Sequence, residues 1–259
     1  MKNLISPIKL GLMSLCILGL SFSSCTQEEL DELVKQNQNN TTPTPTPSTN
    51  IPMPSWSDAF GVLAVTQVKA VQGSGSVTIG VAAAAIYANI GDSALADAGT
   101  VKVESKDLTK QPNNSYAFIP TQAEPTGIAF TNPISWEVSG NGSVTAFNHD
   151  LTGAFPTADS VTSATTFDNN TAYTLTVGSV ADADSVLFMV TGSSGTPLLK
   201  YRSGTSTSCT FTQAEMATLP AGAGLIQVVP MRITDNTAGG RKYYFLRQTA
   251  VSKTVTIND

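Results

Sequence analysis

From about residue 56 onward the chain is a succession of short apolar runs, each closed off by Gly, Asn, Ser or Asp. "GTVKVES", "AYTLTVG" and "SCTFT" alternate apolar and polar residues along their length. A period of two over so few residues cannot build a helix face, so it predicts half-buried antiparallel β-strands. Between the runs, "GSG", "SGNGS", "TGSSG" and "DNTAGG" supply the small and turn-forming residues that hairpins and loops need. "VAAAAIYA" is ambiguous, because four alanines also suit a helix. The Val-Thr-Ile before it and the Gly-Asp after it make a strand the expectation.

The strand-like runs exceed what one small sandwich holds. "FGVLAVTQVKAV" through "SVTAF" form a first group, and "AYTLTVG" through "KTVTIND" a second. A boundary at "GAFPT" gives two bodies, residues 56–155 and 156–259, with no internal repeat relating them. Charged residues are 13% of the chain, against about 25% in an ordinary soluble protein. Ser, Thr, Ala, Gly and Asn fill the gap, while 41% of residues are apolar and can fill a core.

The first 55 residues have a different build. "MKNLISPIKLGLMSLCILGLSFSSC" opens with Lys2 and Lys9, then runs apolar from Leu10 to Phe22 and ends in small residues before Cys25. An apolar run this short falls below the roughly 20 residues of a spanning helix, but it has the form of a secretory signal. Behind Cys25 comes "TQEELDEL", and then "QNQNNTTPTPTPSTNIPMP". Alternating Thr and Pro favours an extended polyproline II spacer that cannot make a core. Removing residues 1–24 takes the formal net charge from −5 to −7, and the densest cationic spot, "GGRKYY", holds two charges. So acidic a body gives nucleic acid no electrostatic foothold.

These residues resemble a bacterial lipoprotein signal with a relaxed lipobox, "FSSC", in which Phe22 stands where many lipoboxes carry Leu. The resemblance implies that residues 1–24 are a leader and that Cys25 receives lipid, with several acyl chains (palmitate among them) giving lasting attachment. Residues 25–55 would then form the lipidated N-terminus, an acidic export stretch and a disordered Thr/Pro linker. "TQEELDEL" is similar to the acidic stretches behind the lipid cysteine in surface-exported Bacteroidota lipoproteins. That implies an outer-membrane, lipid-anchored and surface-exposed address. An ordinary cleaved signal, or an uncleaved anchor, with Cys25 incidental is the alternative.

A second resemblance concerns the fold. "TFTQAEMATLPAGAGLIQVVP" reads as a strand, one helical turn and a Gly-bearing crossover into another strand. It resembles the passage between two strands in immunoglobulin-like and fibronectin-like sandwiches where a leucine plugs the end of the core. No Cys…Trp…Cys framework is present, which excludes the antibody branch. The expected class is all-β: two immunoglobulin-like antiparallel β-sandwiches behind the leader and linker.

Little in the sequence supports catalysis. His149 is the one histidine and its "FNHDLTG" context lacks a G-x-S-x-G neighbour, so a surface-loop position is expected for it. Once the leader and anchor are set aside, Cys209 stands alone, which leaves no intrachain disulfide, and its alternation with Thr reads as a small buried hydrophobe. No nucleotide-binding glycine motif and no Cys/His zinc pattern occurs, and no cofactor is expected. Asp182 and Asp184 in "VADADS", near Asp159, are weak calcium candidates, with Asx-turn chemistry as the simpler reading.

Trp56, Trp136, Tyr201 and Tyr244 are candidate ligand-contacting aromatics for a glycan or surface-protein partner. Of the neighbours Tyr243 and Tyr244, one is expected to leave the core, because adjacent strand residues point to opposite faces. "DSA" and "DSV" place Ser93, Ser160 and Ser185 in the Asp-Ser/Thr-apolar pattern of Bacteroidota O-glycosylation, which requires exposure. The functional expectation is a non-catalytic binding or structural role at the cell surface, with the membrane as one partner through the lipid. A fimbrillin-like polymerising pilus subunit is the alternative, weakened because the only basic site between Cys25 and Trp56 is Lys35 and no arginine precedes Arg202. A secreted hydrolase with an unrecognised site is the third class.

Overall fold

The computed structural model describes residues 57–72, 75–90 and 92–259. The leader, Cys25, the acidic stretch, the Thr/Pro tract and Trp56 lie outside the described residues. The body is all-β. Its strands are β1 (Ala59–Gln72), β2 (Gly75–Ile86), β3 (Val101–Val103), β4 (Lys106–Asp107), β5 (Thr109–Lys110) and β6 (Tyr116–Phe118). Next come β7 (Ile134–Val138), β8 (Phe147–Leu151), β9 (Thr157–Ala158), β10 (Thr166–Asp168), β11 (Tyr173–Thr176) and β12 (Val180–Ala181). The chain closes with β13 (Ser185–Gly192), β14 (Leu198–Ser203), β15 (Ser208–Phe211), the single-turn helix α1 (Gln213–Met216), β16 (Gly222–Ala238) and β17 (Arg241–Asn258).

One sheet runs through both halves. Its order is β14-β13-β16-β17-β1-β2-β6-β5, with β10 also paired to β17. The hairpin of β16 and β17 is its spine, paired from Gly222↔Ile257 to Ala238↔Arg241. β1 joins β17 over residues 242–251, and β13 joins β16 over residues 224–231. At about 3.3 Å per residue the 18 residues of β17 extend for roughly 60 Å. β1 and β10 both pair with β17 in parallel, against the expectation of antiparallel strands throughout. Parallel neighbours need a long connection, and here most of the chain separates β1 from β17.

Each half has its own inner core on one face of this sheet. In the first, Phe60, Leu63 and Val65 of β1, Ala82, Ala84 and Ile86 of β2, and Tyr243 and Phe245 of β17 face the four-stranded sheet β4-β3-β7-β8. That sheet contributes Val101, Val103, Ile134, Trp136 and Val138. In the second, Val186, Phe188 and Val190 of β13, Ile226 and Val228 of β16, and Val251, Val255 and Ile257 of β17 lie beneath the ribbon β11-β15 and α1. Leu219, just past α1, is buried there as the end plug that the sandwich resemblance implies. The two cores are sandwiches that share a sheet. The stretch 153–157, read as the boundary, separates the coverings of that sheet while β17 continues beneath both.

The opposite face carries a third apolar cluster, with Val62, Ala64, Leu187, Met189, Val229, Met231, Leu246 and Ala250 among its members. Burial on both faces explains the unbroken apolar runs "VLFMV" and "YYFL", which have no polar alternation to lose. The alanine run is strand, as expected. Ala82 and Ala84 lie opposite Phe118 and Tyr116 of β6, so small side chains on one strand make room for rings on the next.

Candidate functional site

The sequence candidates separate once placed in the fold. Trp136 is fully buried in the first core and cannot meet a ligand. Its strand alternates inward and outward with Trp136 on the inward side. Tyr201 is half-buried against the third cluster, where burial pushes its phenol pKa up. Tyr243 and Tyr244 do point to opposite faces, yet both are buried, because both faces of β17 are covered there. The expectation that one of them leaves the core is corrected accordingly. Tyr244 is 8% exposed, and its hydroxyl donates to Asp58 Oδ1 at 2.9 Å. The row of solvent-facing aromatics that would have marked a sugar platform is not formed by these residues.

His149 is not the surface-loop residue expected. It lies on β8, opposite Trp136, with its ring 4.1 Å from that of Phe245. Burial lowers its pKa, and the charge of Asp150 opposes that shift. Cys209 is a buried strand residue whose thiol pKa is raised by desolvation, so it is no ready thiolate.

The acids pin turns. Asp184 Oδ2 accepts the amide of Ile233 at 2.8 Å, and Asp159 Oδ2 accepts the Ser179 hydroxyl at 2.6 Å. Asp182 is exposed at φ +58°, a left-handed turn conformation that Asp tolerates better than most side chains. Among the described residues no three His, Cys, Asp or Glu side chains gather as a metal ion would require.

Of the Asp-Ser-apolar triplets, Ser93 and Ser160 are exposed. Ser93 follows Asp92, whose Oδ1 accepts the amides of Ser93 at 2.7 Å and Ala94 at 3.3 Å, a compact turn that presents the hydroxyl outward. Ser185 is fully buried at the start of β13. No transferase reaches it in the folded chain, so Ser185 is removed from the set of acceptors.

A hollow of about 430 Å³ lies at the outer side of the four-stranded sheet, lined by Thr100, Lys102, Glu137, Ser139, Phe147 and Asn148 among others. Register builds it. Lys102 pairs with Glu137 and Glu137 with Asn148, so an ammonium, a carboxylate and an amide stand in one cross-strand row. Directly opposed residues keep their Cβ atoms about 5 Å apart, a spacing that neighbouring hydroxyls of one ligand can bridge. The hollow offers donors and acceptors of both signs. With the hydroxyls of Thr100 and Ser139 beside them, these groups form an arrangement suited to polar binding. The outward place of Glu137 was legible in the alternation of "ISWEV", but its neighbours depend on pairing between distant segments.

No family model matches the chain, and no curated protein does. Among solved structures it is similar to the crystal structure of a tetra-tandem repeat in the extending region of a large adhesion protein. The identity is 16% and the TM-score 0.26, over 76% of this chain and 49% of that one. The chain thus spans about half the length of that structure.

Proposed function

We propose that this chain is a lipid-anchored, outer-membrane protein displayed at the cell surface, with a non-catalytic binding or structural role. The observation that carries the reading is the shared spine: one hydrogen-bonded hairpin, residues 222–258, ties both cores into a single elongated body. Such a beam keeps its shape under load better than two bodies joined by a linker, which suits presentation away from a membrane. In keeping with this, the body cysteine and the candidate aromatics Trp136 and Tyr244 are buried in packing, and His149 is half-buried against Phe245.

Within the same reading, Cys25 carries the lipid, residues 26–35 direct export and the Thr/Pro tract holds the body off the surface. The hollow at Lys102, Glu137 and Asn148 would take a hydroxylated ligand of saccharide size, and Ser93 and Ser160 would be the glycosylated serines. Palmitate labelling of wild type and Cys25→Ala, with proteolysis of intact cells, tests the address. Label lost in the variant and a body clipped by external protease are the expected results; an unlipidated, freely released wild type overturns the reading. A glycan array with wild type and Glu137→Ala tests the hollow.

The polymerising reading draws on one specific feature. β1, the first strand of the body, is inserted between β17 and β2, so its withdrawal would open a slot along the spine. A cleaved, laddering polymer on a denaturing gel is what that reading requires.

A further inference from the structure

Midway along the spine, between the two inner cores, a buried charge follows directly on the apolar run Tyr243–Leu246 of β17. Arg247 is 4% exposed. Its neighbours in register are Val65 of β1 and Arg232 of β16, so its flanking strands bring no carboxylate opposite it. Its Nε and Nη1 are buried without a hydrogen-bond partner. None of the ion pairs among the described residues includes Arg247 or Arg232. Asp184 is the acid whose charge is felt at Arg247, but its Oδ2 is taken by the Ile233 amide. Arg232 is exposed and reaches only the Asp182 carbonyl, at 3.4 Å.

The connection from β8 to β9 passes over this charge. Gly153, at φ +103°, lies so close that a Cβ there would stand 2.5 Å from Nη1 and 3.2 Å from Nη2 of Arg247. Further on, the Thr249 hydroxyl donates to the Pro156 carbonyl at 2.6 Å, and Lys69 Nζ donates to the Ala158 carbonyl at 3.2 Å. These two sheet side chains fasten the strap through its carbonyls. Arg247 alone is covered by the strap without being bonded at Nε and Nη1.

A buried guanidinium with free donors carries a large desolvation penalty that an anion normally offsets. We propose that the waist of the sheet binds a small monoanion, a chloride ion or a carboxylate group, on Arg247 beneath Gly153, with Arg232 as the second cation. Close cover by the Gly153 backbone limits the occupant to small size. A charged N–H donor is satisfied by a carboxylate oxygen or a halide alike. The anion would fasten the first half's covering to the shared spine beside Gly153.

The test is the melting midpoint of the full chain at fixed pH and ionic strength in chloride, formate or gluconate salts, with ³⁵Cl line broadening as a direct readout. Expected is a saturable rise of a few degrees in chloride, in formate or in both, relative to bulky gluconate; which of the two acts identifies the source. Arg247→Met should lose the response. Arg232→Gln, at an exposed position, should fold and shift the half-saturating concentration upward several-fold. Equal midpoints in all three salts overturn the proposal, as does a response that survives in Arg247→Met. If the methionine variant does not fold, an unchanged half-saturation and unchanged line broadening in Arg232→Gln overturn it. An Arg247→Met chain more stable than wild type in every salt also overturns it, because that is the signature of an empty site.

Discussion

The two inner cores rest on one sheet but are filled differently. The first is aromatic: Trp136, Tyr116, Tyr243, Phe60 and Phe245 are among its buried members. The second is mainly aliphatic, with Val, Leu, Ile and Met around Phe188 and Phe211. Polar atoms are paired unevenly too: in the first core the Tyr116 hydroxyl donates to Asp97 Oδ1 at 3.0 Å, but not every ring has such a partner. Trp136 Nε1 and the Tyr243 hydroxyl are buried without partners in the first core, whereas the buried phenol of the second, Tyr173, donates to the Ala164 carbonyl at 2.8 Å. Rings fill a deep space with few residues but bring hydroxyl and indole groups that must find partners. Aliphatic side chains bring none, so the second core has fewer such groups to satisfy.

Emptying each core in turn should have the largest effect on stability. Trp136→Ala and Phe188→Ala should each cost about 3–5 kcal/mol, the range for deleting a large buried ring. Both side chains are fully buried. Because β17 belongs to both cores, each variant should lower a single unfolding transition followed by circular dichroism. A transition that splits in two in either variant would show that the halves unfold separately and that the spine does not couple them.

A smaller change touches the second half alone. Thr212 accepts the Glu215 amide at 3.3 Å while Glu215 Oε2 accepts the Thr212 amide at 2.7 Å, closing a capping box on α1. Lys200 Nζ reaches the same Oε2 at 2.6 Å. Thr212→Ala should cost about 1 kcal/mol in chemical denaturation, and Thr212→Ser should restore most of it. A cost near zero would mean that the strands on either side fix this turn without its cap.

Local features of this kind were legible in the sequence. The helical turn, the alanine-rich strand, the buried Cys209 and the plug at Leu219 all follow from short windows in which neighbours decide the outcome. What escaped depends on pairing across long separations. Nothing in "FGVLAV" announces that β1 will lie parallel to β17. The burial of Trp136, Tyr244 and Ser185 follows from which strands sit above and below them. His149 looked like a loop residue because Asn148, His149 and Asp150 are three polar residues in a row, yet its register with β7 turns it inward onto Phe245. The candidate hollow was equally hidden, since Lys102, Glu137 and Asn148 come from three strands. Arg247 did leave a trace, as a charge inside "YYFLRQTAV".

The phenols allow the same chemical change to be made in each core. Tyr173→Phe removes a satisfied donor and leaves the Ala164 carbonyl short of a partner, so it should cost about 1 kcal/mol. Tyr243→Phe removes a hydroxyl that has no partner, and its ring contacts with Phe60 and Phe147 survive. Its effect should be within about 0.5 kcal/mol of zero, or mildly stabilising. Equal losses at the two sites would mean that the first core satisfies its polar groups as fully as the second.

The smallest expected effect is a pH dependence that belongs to the first half. His149 is the chain's one histidine, so between about pH 5 and 6.5 no other side chain is expected to change charge appreciably. Burial against Phe245 holds its folded pKa below the ordinary value of 6.5. The neutral ring is therefore the form that packs. Its contribution is fully present above the unfolded pKa and falls away as the pH drops through 6.5 toward the folded value. The ring is only partly buried, so solvent screens much of the penalty and the loss should be modest. Denaturation midpoints should decline gently over this window in wild type and stay flat in His149→Gln. A slope that persists in the variant would place the acid-sensitive contact elsewhere. Below about pH 4 both chains should lose stability together, because Asp58 and Glu215 have pKa values lowered by partners that release them on protonation. The principal partner is the ammonium of Lys242 for Asp58 and that of Lys200 for Glu215, where burial pulls the other way. One of these pairs braces the start of β1 against β17 and the other the cap of α1, so acid at that level strikes both halves.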